Sequence, residues 1–394
     1  MFLIAGDWGP GECKVIIPSK WDLILCNLEG PVVRPYQYLP YPKVGPCLIS
    51  SGLPEADARF IFTLANNHSM DYGLLGLEST FMHIGQRECS FCGAGRDVIG
   101  ARTSIVTEES GKKIGIISCC EAQFGVARTD APGVAEFGPW VYRAIRDLRA
   151  TTDSIIVSVH AGVEDSPWPS PYIRELYRSL IDAGAAVVHG HHPHLPQGYE
   201  MYGGGLIFYG MGNFAVDPGM WHDYPNGMWS LAAEIDFGST PMGWRLLTFE
   251  IRHESGSDII VIEESSEKER EQHTGYLEKC NRPFADPELF EGLWQEVALR
   301  SYYHHGARYM GFSPFQRRGR LKAALSEIKG ALINRTPRRY DHLLRYHMIV
   351  CESHRQMLST ALGILSGEIK DLRSEAARRL ADEMMPWSLG VVPA

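Results

Sequence analysis

Residues 154–194 read "SIIVSVHAGVEDSPWPSPYIRELYRSLIDAGAAVVHGHHPH". The run "SIIVSV" halts at His160, and a second β-rich run, "AAVVHG", opens onto His191-His192-Pro193-His194. Short β-branched runs bounded by turn residues are strand signals. Between them Ile173, Leu176, Leu180 and Ala183 recur at helical spacing, with Ser170-Pro171 suited to a helix start and Gly184 to its end. The stretch from Ser154 to His189 is therefore a β-α-β unit. Its two strands run parallel, so His160 and the turn His191 to His194 arrive on the same edge.

Working outward, other strand candidates stop in the same manner. "MFLIA" runs into Gly6-Asp7, "DLILC" into Asn27-Leu28-Glu29, and "RFIFTLA" into Asn66-Asn67-His68. If these strands share a sheet, their carboxyl ends form one rim, where sites in open α/β sheets lie. Leu74, Leu77, Phe81 and Ile84 mark a helix after His68, which places His68 on a strand-to-helix turn. An α/β domain is expected over residues 1–255. The polar run "EESSEKEREQ", Glu263 to Gln272, suits a linker or an exposed helix start, and residues 256–394 read as a mainly helical extension. There Leu343, His347, Val350, His354, Met357, Ala361 and Leu365 predict one face of a long helix from Tyr340 to Leu365.

Composition excludes several classes. The chain has 394 residues, 44% hydrophobic and 22% charged, which places it among globular proteins and away from disordered ones. No apolar run approaches the roughly 18 residues of a membrane span. The opening "MFLIAGDWGPGECK" has only a short apolar run and no basic segment before it, so it reads as a strand and not as a signal peptide. A cytoplasmic protein without membrane association is expected. Nine cysteines, two of them adjacent at Cys119 and Cys120, suit reduced thiols. The lone "CSFC" from Cys89 to Cys92 reads as a strand entering a turn, not as half a zinc site. A formal charge of −9 argues against nucleic acid as a partner. Arg317 to Arg345 is locally basic, with nine Lys/Arg against Glu327 and Asp341, which suits the solvated face of helices, with docking of a polyanion as the alternative.

The strand ends together offer Asp7, Glu29, Asn67, His68, His160, His192 and His194. Imidazoles and carboxylates suit Mn²⁺, Fe or Zn²⁺, and a carboxylate can bridge two such ions. Two ions about 3.5–4 Å apart acidify a shared water and clamp the oxygens of an in-line displacement. An imidazole beside them can protonate the leaving group. His191 is left to a structural or supporting role, because His192 fits the H-x-H spacing with His194. Glu164, Asn213 and Asp217 either orient ligands or form turns. Trp8, Trp168 and Trp221 either wall a pocket or pack in the core. His304 and His305 either enter the site or lie on the surface.

In order along the chain, "GD", "NLEGP", "ANNHSMDYG", "GAGR", "VSVHAGVED", "DAGAAVVHGHHPH" and "FYGMGNFAVD" resemble the CapA-type poly-γ-glutamate capsule biosynthesis proteins, a branch of the calcineurin-like metallophosphoesterase superfamily. The likeness runs from about Met1 to Asp217. It implies a four-layer α/β/β/α sandwich with a divalent metal site, two ions of Mn, Fe or Zn, at the strand ends. By the same resemblance, Asp7 and His194 would serve one ion, Asn67, His160 and His192 the other, and Glu29 would bridge. His68 would be the general acid. Classical members begin with Asp-x-His, whereas here Asp7 is followed by Trp8-Gly9, so one imidazole of the first ion is missing.

The implied chemistry is hydrolysis of a phosphoester by a metal-activated water. Attack on an amide, a γ-glutamyl bond among the choices, is an alternative, with a small-molecule or glutamate-containing substrate. A non-catalytic part in capsule assembly is another. The helical extension is expected to cover the rim, dock a partner or form a homodimer.

Overall fold

The computed structural model describes residues 1–18, 20–43, 45–50, 52–54, 58–240, 242–306, 339–390 and 392. Most of the basic stretch from Arg317 to Arg345 therefore lies outside the described residues. Two compact units are present, Met1–Tyr41 with Pro46–Pro287, and Pro42–Gly45 with Glu288–Ala394.

The first unit opens with β1 (Phe2–Gly9), β2 (Lys14–Ile16), β3 (Leu23–Leu28) and β4 (Arg59–Thr63), then α1 (Gly73–Gln86) and β5 (Ser90–Cys92). Next come β6 (Ala94–Gly95), the short α2 (Val98–Ala101), β7 (Ile105–Glu109), β8 (Lys112–Cys120), β9 (Gly133–Val134) and α3 (Pro139–Leu148). The β-α-β unit follows as β10 (Ser154–His160), α4 (Pro171–Ala183) and β11 (Val187–His191). The remainder is β12 (Tyr199–Tyr202), β13 (Gly205–Phe208), β14 (Asn213–Val216), α5 (Pro218–Trp221), β15 (Trp229–Asp236), β16 (Gly243–His253), β17 (Ile259–Glu264) and α6 (Glu267–Asn281).

Two large sheets result. One has the order β2-β17-β16-β15-β1-β3-β4-β5 with β14 paired to β1, and the other β12-β13-β11-β10-β8-β7. In the first, β1, β3, β4 and β5 are parallel. In the second, β8, β10, β11 and β13 are parallel. The single shared sheet expected from the strand ends is thus two, with β1, β3 and β4 in one and β10 and β11 in the other. Strand alternation explains how both contribute to one place. Phe2, Ile4, Leu23, Leu25 and Ile61 of the first sheet pack with Ile114, Ile116, Ile156, Val187 and Phe208 of the second. The intervening residues Leu3, Ala5, Ile24, Phe60 and Phe62 face outward with Leu77 and Ile84 of α1, and Val157 and Val188 face Val141, Ile145, Ile173 and Leu180 of α3 and α4. That is a four-layer α/β/β/α sandwich. α4 begins and ends as the sequence reads: Ser170 accepts a hydrogen bond from Ile173 N–H, and Gly184 closes the helix at φ 115°.

The first unit runs beyond the boundary expected at residue 255. β17 pairs with both β16 and β2, burying Ile260 and Ile262 while Glu263 and Glu264 face out. Ser266 and Glu269 then form a reciprocal capping box at the start of α6. Of the two readings of the polar run, a linker or an exposed helix start, the second holds: it is a solvated strand end followed by the capped start of α6.

The second unit is helical, with α7 (Pro287–Ser301) and helices Arg339–Val350, Glu352–Ser366 and Glu375–Met384. The single long helix expected from Tyr340 to Leu365 is interrupted at Cys351, whose backbone is extended (φ −62°, ψ 119°). The break lets Met348, Cys351, Met357 and Ala361 all be buried, which one straight stripe would not. Among the described residues no helix is long and apolar enough to cross a membrane, and all nine cysteines are free.

Candidate metal centre

The carboxyl ends of β1, β3, β4, β10 and β11 meet where the two sheets face each other. Asp7, Glu29, His68, His160, His192 and His194 are all buried there, at 6% exposure or less. Glu29 is the hub. Its Oε1 lies 3.5 Å from His194 Nε2, 3.7 Å from His160 Nε2 and 3.9 Å from His68 Nε2. Two groups of donor atoms form around it, Asp7 with Glu29 and His194, and Glu29 with His160 and His192. Asn67 joins the second through Oδ1, 2.9 Å from His160 Nε2.

These residues fit a divalent cation. Ligands at about 2.1 Å from one ion are separated by about 3–3.5 Å, close to the spacing seen and longer than a good hydrogen bond. Asp7 Oδ2 is buried and accepts no hydrogen bond among the described residues, although His194 Nδ1 stands 3.6 Å away. A buried carboxylate oxygen left so is costly unless a cation faces it.

Neighbouring groups hold each donor in place. Asn27 Nδ2 donates to Asp7 Oδ1 at 2.8 Å, and His191 Nδ1 lies 2.8 Å from the same oxygen. Asn66 donates to Asn27 Oδ1 and Leu28 O, while its own Oδ1 accepts from the backbone of His68 and Ser69. His194 Nδ1 donates to Asn213 Oδ1 at 3.0 Å, which turns its Nε2 toward Glu29. His68 Nδ1 lies 2.7 Å from Asp71 Oδ2, so Nε2 is the nitrogen facing the site. Both His192 (φ 98°) and His194 (φ 59°) adopt left-handed backbone conformations that non-glycine residues avoid.

The electrostatics divide the histidines. Burial, reinforced by the neighbouring imidazoles, holds His160 well below the usual range. Burial also takes His192 down to about 4, against the opposing pull of Glu164. Burial would lower His194 too, but the carboxylates of Glu29 and Asp7 push it up to about 9. For Asp7, burial is outweighed by His191, His194 and Asn27 together, which hold the carboxyl below its ordinary value. At neutral pH the site thus offers neutral His160 and His192, a charged Asp7 and a protonated His194.

Every residue expected as a ligand or as the acid is brought together here. Of the residues left open, Asn213 orients His194, Glu164 is exposed with Oε1 4.0 Å from His192 Nε2, and Asp217 caps α5. Trp221 packs on the His194 ring at 4.6 Å. Trp8 and Trp168 are instead buried in the core. His304 packs against Trp387 within the second unit, and the His305 side chain lies outside the described residues. Sequence reading missed Asn27, Asn66 and Asp71. Asn27 carried a usable signal, since strand alternation places it on the face of Asp7's neighbours, two residues before Glu29.

The chain is 32% identical over 205 residues to the PGA biosynthesis protein CapA of Bacillus subtilis, covering 50% of this chain and 54% of that protein. It is 30% identical over 166 residues to the capsule biosynthesis protein CapA of Bacillus anthracis, 40% of each chain. It thus spans about half the length of the curated relatives it matches. Among solved structures, a novel phosphatase of Mycoplasma pneumoniae aligns over 70% of this chain and 98% of its own, with 13% identity and a TM-score of 0.37. The model of the bacterial capsule synthesis protein PGA_cap matches residues 11–218, more than half of the sequence, and the chain belongs to that family.

Proposed function

We propose that this protein is a metal-dependent hydrolase acting on phosphoesters. One observation carries the reading: a single buried carboxylate, Glu29, is shared by two donor groups, with the His68 imidazole facing the same oxygen. Asp7 and His194 would hold one ion, His160, His192 and Asn67 the other, and Glu29 both. Bound ions supply an activated water and an electrophilic clamp for a phosphoryl group. The donor set of imidazoles, carboxylates and an amide suits Mn²⁺, Fe or Zn²⁺.

The protein's own groups complete the chemistry. Asp71 fixes the His68 ring through its contact with Nδ1. His68 Nε2 is then poised to give its proton to the leaving oxygen. Burial keeps His160 and His192 neutral, so their lone pairs remain available. Glu164, exposed beside His192, and Trp221, packed on the His194 ring, would meet the substrate.

The names of the relatives favour a second reading, in which the same site attacks the amide of a glutamate-containing polymer or assists its synthesis. The two separate by experiment. Protein purified without chelators is analysed for metal by elemental mass spectrometry, and assayed with Mn²⁺ on bis-p-nitrophenyl phosphate, p-nitrophenyl phosphate and γ-glutamyl-p-nitroanilide. The proposal expects bound metal and phosphoester cleavage. Bound metal with only anilide cleavage moves the protein to amide chemistry, and absence of both metal and turnover moves it to an accessory role.

A further inference from the structure

β11 carries two histidines outside the donor groups, His189 and His191, both essentially unexposed. Residues two apart on a strand share a face, and this face carries Val187 into the layer between the sheets. There the rings form a chain. His189 Nε2 lies 2.9 Å from the carbonyl of Ala5, His189 Nδ1 lies 3.3 Å from His191 Nε2, and His191 Nδ1 lies 2.8 Å from Asp7 Oδ1. Its direction is fixed at one end. A carbonyl only accepts, so His189 Nε2 donates to Ala5 O, its Nδ1 is left to accept, and His191 Nε2 donates to it; with its second proton on Nδ1, His191 meets Asp7 Oδ1 as an ion pair at 2.8 Å.

The same end coincides with an irregularity of β1. Relative to β3, β1 has one extra residue between Ile4 and Asp7, a bulge of the kind that re-aims the next side chain. Bulge and relay act on one target. Asn27 donates to Oδ1 of Asp7 and His191 Nδ1 pairs with the same oxygen at 2.8 Å, while among the described residues Oδ2 accepts no hydrogen bond.

We propose that His189 and His191 are positioning residues, a relay from the Ala5 carbonyl across the two sheets that holds Asp7 with Oδ2 presented to the first metal ion. This rests on the metal-binding part of the function proposed above, not on its substrate. The relay supports the ion whose site lacks the imidazole of an Asp-x-His sequence.

The test is Mn²⁺ binding to the full chain, followed by electron paramagnetic resonance and calorimetry. His189→Gln keeps a donor for Ala5 O and an acceptor for His191 on one side chain; His189→Leu has neither. Loss of such a supporting partner costs about 10- to 100-fold in metal affinity. His189→Leu is therefore expected to weaken one of two ions by that factor, replacing the spin-coupled pair signal by that of a lone Mn²⁺, and His189→Gln to restore most of it. His191→Phe and His191→Asn give the same contrast at the other link and serve if His189→Leu does not fold. Two outcomes overturn the proposal: wild-type affinity for both ions in His189→Leu and His191→Phe, or equal weakening of both ions accompanied by a lower chelator-treated melting temperature in Leu and Gln variants alike. A wild-type chain that binds no Mn²⁺ overturns it together with the metal centre. Mn²⁺ binding without phosphoester hydrolysis refutes only the proposed substrate.

Discussion

Loading the centre with Mn²⁺ at pH 6 should expel about one proton, and that proton should come from His194. Of the site imidazoles, His160 and His192 are already neutral at this pH because burial holds them down, His192 at about 4. Asp7 is already charged. His194 alone sits high, at about 9, because Glu29 and Asp7 face it. Its Nδ1 donates to Asn213, so the proton that must leave is on Nε2, the nitrogen turned to Glu29. At about 1.36 kcal/mol per unit, three pH units cost about 4 kcal/mol, or roughly 1000-fold in affinity relative to pH 9. The apparent affinity should therefore rise about tenfold per pH unit as pH rises toward 9. Working at pH 6 keeps a metal-bound water, with its pKa near 7, largely protonated and out of the count. Calorimetry in buffers of different ionisation enthalpy measures the protons released, and His194→Gln should bring the number to zero. Release of no proton by the wild-type chain, or an unchanged count in His194→Gln, would refute the assignment.

His68→Ala should retain both ions, yet lose about 10²- to 10⁴-fold in turnover on alkyl phosphates; p-nitrophenyl substrates, whose leaving group needs no proton, should be much less affected, and an equal loss on both would remove His68 as the acid. In chelator-treated protein, stability should peak near pH 6.5: the raised His194 contributes fully below about 6.5 and loses its contribution as pH climbs through about 9, whereas the depressed His160 and His192 contribute above about 6.5 and lose theirs as pH falls toward about 4. Denaturant melts across pH 4–9 check this, and a stability rising steadily to pH 9 would contradict it. Gly190→Ala should destabilise the chain by several kcal/mol, because a Cβ there would stand 2.3 Å from Tyr209 O and 2.5 Å from Phe208 O; an unchanged melting temperature would mean that β11 and β13 are less tightly joined than described.

How far the sequence could be read depended on whether a residue's role left a periodic trace. The β-α-β unit was legible because Ser170, Pro171 and Gly184 mark the ends of α4, and its apolar face repeats at helical spacing. β17 was not, because one face of its sheet is solvated and Glu263-Glu264 look like linker composition while Ile260 and Ile262 do the packing. The division of the strands into two sheets was invisible to local pattern, since inward and outward faces are both apolar: Phe2 and Ile4 look no different from Leu3 and Ala5. Among site residues, the candidate donors were legible because each lies near the carboxyl end of a strand or on the turn that follows it. Asn27, Asn66 and Asp71 act by hydrogen bonds to other site groups, and an Asn or Asp beside a turn has a local explanation that only the folded geometry displaces.

Position 9 shows that the departure from Asp-x-His is built into this backbone and is not a simple loss. A Cβ at Gly9 would lie 2.7 Å from the carbonyl oxygen of Glu29, a main-chain atom that cannot swing aside. That approach has a cause, since Glu29 N–H donates to Trp8 O at 2.7 Å and so ties the hub carboxylate's own residue to β1. The chain therefore brings Glu29 in against the strand at the position that the imidazole of an Asp-x-His sequence would occupy. A side chain at residue 9 and a Glu29 held by this hydrogen bond exclude each other. In the proposed centre the first ion would be served by other means, and the groups gathered on Asp7, namely Asn27 from β3 and the His189–His191 pair from β11, would aim one carboxylate oxygen at it.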